Sequence, residues 1–565
     1  MQASNTRTGG QLVARALIEQ GVDTVFCVPG ESYLDVLDAL YEEAGVKVVA
    51  CRHEGAAGFM TEAHGKLTGK PGVCLVTRGP GATNVSIGVH TAFQDSTPMI
   101  VLVGQVGNDM VEREAFQEID YRRMFGEFTK WVAQIDDAAR VPEYLARAFS
   151  VALSGRPGPV VLALPEDMLS QLVPVAQLPA PLAVVAPTPA YPSPAALAQM
   201  QQLLADASQP LMIVGGSGWT DEGLLGLERF AKANALPVAC SFRRQDLYDN
   251  TDDLYVGEVG IGINPELAQA IKDADVILAV GARLGEMVTS GYTLLQVPSP
   301  KQKLVHVLPA AEELGRVYQP AVRVQADLNA FAISASELAP VAGAGWQAWG
   351  NGLRERYLRY TVPPAIDARL DPAKVILAMR EQLGPDAVIT NGAGNYSAWA
   401  HRYYRFRQPR TQLAPTSGAM GYGVPAAVAA ALRHPERQVV CLAGDGCFLM
   451  TSQELATVRA HGLRIVFIVF NNGMYGTIRM HQENRFPGRT IGTDLCNPDF
   501  VAYAQAFGLQ AERVEDDAQI APALERALAA PGSTLIELVI DPETLTPRAT
   551  LSALREKAFK AQQQA

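Results

Sequence analysis

The sequence of 565 residues lacks any stretch close to the roughly 18 uninterrupted apolar residues of a membrane span, which argues against a bilayer-crossing helix. It also lacks paired cysteines. The seven present (Cys27, Cys51, Cys74, Cys240, Cys441, Cys447 and Cys496) are scattered without any C-x-x-C, so neither a disulfide framework nor a zinc site is signalled and a reducing compartment fits. Positive charge is in deficit: 47 Lys and Arg against 58 Asp and Glu leave a net charge of −11. That balance gives no reason to expect nucleic acid, although a local cleft can still hold one small anionic cofactor. Residues Met1 to Gly10 are polar, without the apolar segment of a secretion signal. The expectation is a cytoplasmic protein with no membrane and no nucleic-acid partner.

Apolar residues make up 48% of the chain and glycines number 49, a composition of ordinary folded protein with many strand-to-helix turns. So long a chain exceeds one hydrophobic core and should divide into about three or four domains. Short Val/Ile/Leu runs such as "TVFCV", "GVCLVT", "PMIVLVG" and "GPVVLALP" alternate with helix-like segments over the first 170 residues. The alternation returns at "PLMIVGG", "DVILAVGA" and "KLVHVL", and again at "AVIT", "QVVCLAG", "RIVFIVF" and "TLIELVI". Continuous apolar strands between helices imply parallel sheets covered on both faces. The fold class expected is therefore α/β, with three doubly wound domains over residues 1–175, 191–345 and 365–550 and mainly parallel sheets. The proline-rich "PVAQLPAPLAVVAPTPAYPSP" reads as a stiff extended linker between the first two, and the stretch near 342–364 as a second junction.

In such sheets ligands bind beyond the carboxyl ends of the strands. "GGSGW" (Gly215 to Trp219) stands after a strand but fails the G-x-G-x-x-G spacing, because Asp221 occupies the third glycine position; it reads as a tight turn. The segment from Gln438 to Gln482 carries more. "QVVCLA" ends in Gly444-Asp445-Gly446, Thr451 and Glu454 have capping-box spacing, and "RIVFIVF" ends in Asn471-Asn472. A strand–helix–strand unit brings Asp445 and Asn472 to one carboxyl edge. Mg²⁺ takes one or two protein carboxylates and completes its shell with carbonyls, water and phosphate oxygens, so an aspartate beside an asparagine amide suits it. Backbone N–H groups at Gly444, Gly446 and the helix start can face a diphosphate.

"GDGCFLMTSQE…VFNNGMYG" resembles the cofactor motif of thiamine diphosphate enzymes of the acetohydroxyacid (acetolactate) synthase and pyruvate oxidase group, and the resemblance extends over nearly the whole chain. It implies that Asp445, Asn472 and the Met474 carbonyl hold Mg²⁺, with Gly444, Gly446 and Cys447 beside the diphosphate in the third domain. Gly394-Asn395-Tyr396, ahead of Trp399, resembles the loop for the distal phosphate. Glu54 in "CRHEGAAGF" looks like the glutamate that hydrogen-bonds the pyrimidine N1′ in the first domain. "TSGAMGYG" resembles the segment that bends the cofactor, with Met420 as wedge and the Gly418 carbonyl as partner of the 4′-amino group. In the family the glutamate and the metal site meet across a subunit interface, so a homodimer at least, and plausibly a homotetramer, is implied.

On the substrate side "TRGPGATN", "GVHTAFQD", "AFQE" and "FTKW" resemble synthase segments and bring in Asn84, Phe93, Gln94, Gln117 and Lys130. Two departures fall on acceptor recognition. "GARLGEMVTSG" has Met287 where the synthase pattern has a second arginine, and "RMHQ" has His481 where it has tryptophan. FAD stays open: Gly215-Gly216, Arg283 and Asp327 are compatible with it, while "HVLPAAEE" replaces the family's acid-bearing strand end. The reading is pyruvate (2-keto acid) decarboxylation with carboligation of the two-carbon unit to an aldehyde or keto acid. The alternatives are an FAD-dependent pyruvate oxidase, a simple decarboxylase, and a catalytically silent binding paralogue.

Overall fold

A computed structural model describes residues 5–43, 45–341 and 345–564. They contain three six-stranded sheets, every strand pairing within them parallel, and one two-stranded antiparallel ribbon joining Thr6–Thr8 to Leu172–Pro174. The inner strands are buried on both faces, as continuous apolar runs require, while edge strands such as Lys47–Ala50, Val322–Gln325 and Gln510–Val514 keep exposed positions. By compactness the chain forms two units, residues 1–188 and 189–565. The first holds one sheet and the second holds two.

In the first unit the strand order is Lys47–Ala50, Thr24–Cys27, Gly72–Val76, Met99–Gln105, Pro159–Pro165, Trp131–Gln134. The order reverses beside Thr24–Cys27, the kind of position at which doubly wound sheets bind ligands. The proline-rich stretch is extended, as expected, and is fastened to this unit. Leu182 N–H donates to Glu19 at 2.9 Å, and Val185 N–H donates to the Gln20 side chain, also at 2.9 Å.

In the second unit the central sheet runs Tyr255–Val259, Val238–Ser241, Pro210–Val214, Val276–Val280, Lys303–Leu308, Val322–Gln325. The last sheet runs Gln412–Leu413, Val388–Asn391, Val439–Gly444, Val466–Asn471, Thr534–Val539, Gln510–Val514. The expected junction near 342–364 is corrected. Residues 342–344 lie outside the described residues, but Gln347–Tyr360 is a helix packed on the central sheet. Trp346, 1% exposed, donates its indole N–H to the carbonyls of Asn234 and Ala235, and Leu353 and Tyr357 bury beside it. Three large apolar side chains at helical spacing outweigh the glycines of "GAGWQAWGNG" and the prolines of "TVPP" that made the stretch look like a junction. Among the described residues no helix is long and apolar enough to cross a membrane.

Candidate active site

The carboxyl edge of the last sheet opens into a cavity of about 250 Å³. It sits where the strand order reverses, between Val388–Asn391 and Val439–Gly444, as expected of doubly wound sheets. Four of the segments that line it carry the residues singled out in the sequence: Gly394, Asn395 and Tyr396; Gly418 and Met420; Gly444, Asp445, Gly446 and Cys447; and Asn472 with Met474. The structure thus places every residue assigned to cofactor or metal in this unit around one space.

Asp445 opens the helix Asp445–Leu449 directly after its strand and is 3% exposed. Burial raises its pKa, and the donors around it oppose that rise. Gly446 N–H donates to Oδ1 at 2.8 Å, while Gly473 N–H at 2.9 Å and the Asn497 amide at 2.8 Å donate to Oδ2. The parallel pairing of Val439–Gly444 with Val466–Asn471 brings Asn472 to the same edge. Among the described residues no group of three or more His, Cys, Asp or Glu gathers into a metal cage. Asp445, Asn472 and Met474 line the cavity together, offering one carboxylate, one amide oxygen and a backbone carbonyl as hard oxygen donors. That set fits Mg²⁺ carried with a diphosphate better than a metal held by protein alone.

The loop of Gly394, Asn395 and Tyr396 is cross-braced. Asn395 N–H donates to Thr477 Oγ1 at 3.0 Å, and the Thr477 hydroxyl returns a 2.9 Å bond to Asn395 Oδ1. The Tyr396 ring stacks on Phe470 and its hydroxyl lies 3.3 Å from Cys447 Sγ. A Cβ on Gly444 would meet the Tyr396 ring at 2.9 Å, which explains the glycine there. Met420 lines the cavity and packs against the core of this domain. The capping box expected at Thr451 and Glu454 does not form. The Thr451 hydroxyl is drawn to the Gly421 carbonyl, Glu454 accepts from Thr457 at 2.6 Å, and the segment begins as the 3₁₀ turn Ser452–Glu454.

In the first unit Glu54 opens the helix Glu54–Thr68, capped by His53, whose Nδ1 accepts Gly55 N–H at 2.9 Å. Asn84, on the helix Gly79–Asp95, donates its amide to Glu54 Oε2 at 2.9 Å. The helices approach closely at Gly58 and Gly88, where a Cβ on Gly88 would meet Gly58 Cα at 2.6 Å. Gln117 stands at the same carboxyl edge, its carbonyl accepting Gly79 N–H at 2.9 Å.

Phe93, Gln94 and Lys130 are not brought there. Phe93 and Gln94 end the helix Gly79–Asp95, ten residues past the start of the Asn84 turn and about 15 Å along its axis. Arg156, just ahead of the strand Pro159–Pro165, covers the Phe93 ring at 4.8 Å. Lys130 precedes the strand Trp131–Gln134, and its ammonium donates to the Ser154 carbonyl. All three belong to the amino edge of the sheet. Asn84 and Gln117 therefore stand at one edge of this sheet and Phe93, Gln94 and Lys130 at the other. Phe116, 72% exposed beside Gln117, is the aromatic at the carboxyl edge, and the reading of the sequence passed over it. His481 is exposed in the helix Gly476–Arg485 and is not part of the cavity wall. Thr477 and Asn497 were also missed, having no motif of their own.

At the central sheet the open question of FAD meets residues already engaged. Arg283 Nε donates to Glu313 at 2.8 Å, Asp327 caps the helix Leu328–Ser336, and the Trp219 indole donates to the Gly215 carbonyl at 2.9 Å.

Three family descriptions match the chain: thiamine pyrophosphate enzyme, N-terminal TPP binding domain, over residues 7–124; central domain, over 197–334; and C-terminal TPP binding domain, over 392–538. The chain is 35% identical over 553 residues to an acetolactate synthase large subunit of Parasynechococcus marenigrum, covering 95% of this chain and 88% of that protein. It is 33% identical to the acetolactate synthase isozyme 2 large subunit of Escherichia coli, covering 94% and 95%. It is 30% identical to the chloroplastic acetolactate synthase 1 of Nicotiana tabacum, covering 94% and 82%. With a cavity assembled at the third sheet's switch point and matches along all three sheets, the chain belongs to the thiamine pyrophosphate enzyme family, as an enzyme resembling the acetolactate synthase large subunits.

Proposed function

We propose that the protein decarboxylates a 2-keto acid, with pyruvate as donor, and joins the two-carbon unit to an aldehyde or keto acid. The observation that carries this is the convergence of four cofactor-type segments on one cavity in which Asp445, buried, is the one carboxylate among the described lining residues. Thiamine diphosphate, when bound, supplies a nucleophilic carbon and an electron sink for the electrons released with CO₂. Asp445, Asn472 and the Met474 carbonyl would hold Mg²⁺, and the N–H groups at Gly444 and Gly446 would face the diphosphate. Glu54 would hold a proton at the pyrimidine N1′, the Gly418 carbonyl would accept from the 4′-amino group, and Met420 would keep the rings bent. Apolar walls such as Phe470, Ile540 and Leu545 exclude water from that space, which strengthens each polar contact inside it.

Glu54 and Asp445 belong to different compact units, and the reading supplies Glu54 from a second copy of the chain. Ile87, 42% exposed on the helix of Asn84, offers apolar surface for that copy. A homodimer is the smallest such assembly and a homotetramer the next. The chain is placed in the cytoplasm, where reduced thiols persist.

The test is product analysis by the Mg²⁺- and thiamine diphosphate-loaded protein, with pyruvate alone and then with added aldehydes or 2-ketobutyrate. Acetolactate-type or hydroxyketone products support carboligation. Acetaldehyde alone would reduce the reading to decarboxylation, and acetate with a flavin absorption band would replace it with an oxidase.

A further inference from the structure

The turn that presents Gly418 and Met420 to the cavity is tethered from the central sheet. The strand Val238–Ser241 ends in Phe242-Arg243-Arg244, and Arg243 is 3% exposed with φ +59°, a left-handed backbone unfavourable for a residue with a side chain. Its backbone N–H donates at 2.8 Å to Glu258 on the strand Tyr255–Val259. Its guanidinium lies 4.8 Å from the Phe242 ring and donates from Nη1 to the Pro415 carbonyl. The same carbonyl accepts Gly418 N–H at 3.0 Å, closing a turn in which Gly418 has φ +70°.

At the far end of this turn, Gly421 is held by its own domain: Thr451 donates to its carbonyl, and its N–H donates to Cys447 Sγ at 3.2 Å. One oxygen atom of Pro415 therefore joins a buried cation of the central sheet to a glycine that lines the cavity. A buried cationic donor makes such a bond strong and directional. A strained backbone kept at this point fits a residue retained for where its side chain reaches.

We propose that Arg243 is a positioning residue for catalysis, fixing through the shared Pro415 carbonyl the direction in which the Gly418 carbonyl and Met420 face the cavity. The inference rests on the reading in which those two groups take the bent thiamine ring. Arg243 touches neither substrate nor metal in this scheme, so its loss acts on orientation and leaves the Asp445 side of the cavity intact.

The experiment measures C2 proton exchange of bound cofactor, kcat with pyruvate, and cofactor affinity at saturating Mg²⁺ in the full-length loaded protein. Arg243→Met keeps the stem and removes the donor. The expected result is a fall of about a hundredfold in both exchange and kcat, the scale of a small misplacement of reacting groups, with cofactor affinity unchanged. Arg243→Lys, which retains a cationic donor, should recover much of the loss. Exchange at the wild-type rate in folded, loaded Arg243→Met would overturn the proposal, as would a loss of cofactor affinity that accounts for the whole fall. Glu54→Gln in the same assay separates the two levels: if it too exchanges normally, the underlying reading fails, and if it is inert while Arg243→Met is normal, only this inference fails. Should Arg243→Met not fold, Arg243→Gln, with a shorter neutral amide, is read by the same criteria.

Discussion

Asn497 donates its side-chain amide to Asp445 at 2.8 Å and to Asn471 at 3.0 Å, so one residue ties the candidate metal carboxylate to the end of the neighbouring strand. Groups that orient a metal-binding carboxylate are commonly worth 10- to 100-fold in metal affinity. Asn497→Ala should raise the Mg²⁺ needed for half-maximal activity by about 10-fold or more, and Asp445→Ala should weaken Mg²⁺ and cofactor together. Calorimetry at limiting Mg²⁺ checks both, and unchanged affinity in Asp445→Ala would mean the metal lies elsewhere.

Glu54→Gln should abolish turnover while thiamine diphosphate still binds, since the change removes a proton-holding carboxyl and leaves the diphosphate side untouched. The Asn84 amide that now donates to Glu54 Oε2 still finds an oxygen acceptor in the glutamine. Equilibrium cofactor binding with simultaneous C2 exchange is the measurement. Wild-type exchange in this variant would remove Glu54 from its role.

Glu258 and His401 face each other with Oε2 and Nδ1 3.9 Å apart, and the Arg243 charge favours the ionised Glu258 while disfavouring the ionised His401. Burial pushes Glu258 up from 4.5 to about 7 and His401 down from 6.5 to about 3. The raised acid contributes stability below its unfolded value that is lost as pH rises towards 7. The depressed base contributes stability above 6.5 that is lost as pH falls towards 3. Between 4.5 and 6.5 the folded pair holds its single proton on Glu258 and the unfolded pair holds it on His401, so the two slopes cancel. Single substitutions should uncover them. Glu258→Gln should leave stability rising with pH, and His401→Asn should leave it falling, each by up to about 1.4 kcal/mol per pH unit. Denaturant midpoints across this range decide the matter, and parallel profiles for the two variants would contradict the assignment.

On the proposed reading Met287, 37% exposed beyond the central sheet, stands where the synthase pattern has an arginine, whose guanidinium would give a keto-acid acceptor two charge-assisted bonds. Loss of such a contact is worth about ten- to a hundredfold in relative acceptor use. Aldehydes should therefore compete at least evenly with 2-ketobutyrate for a fixed supply of pyruvate. Met287→Arg should shift the ratio towards the keto acid. A strong wild-type preference for the keto acid would point to another cation as its clamp.

The strands and the cofactor cavity were legible because parallel strands are apolar throughout and because Asp445 and Asn472 both follow strand ends. The repeated tripeptide Ala-Phe-Gln was not. It occurs at Ala92 to Gln94 and again at Ala115 to Gln117, and only the topology tells that the first ends a helix at the amino edge while the second follows a strand at the carboxyl edge. The capping box failed for a related reason, since Thr451 has a nearer acceptor 30 residues back in the chain. Trp346 to Tyr360 resembled a junction by its glycines, and the partners that bury it are distant in sequence.

Because the Thr451 hydroxyl is committed to Gly421, the amides at 452–455 start their helix without a side-chain cap. Fraying at an uncapped end needs little free energy, whereas releasing Gly421 requires breaking the Thr451 and Cys447 contacts together. Native-state hydrogen exchange should therefore find faster amides at 452 and 453 than at Gly421. Such a contrast over a few ångströms would mean that thermal motion in this region is channelled away from the cavity wall and into the back of the domain, where it does not disturb the turn.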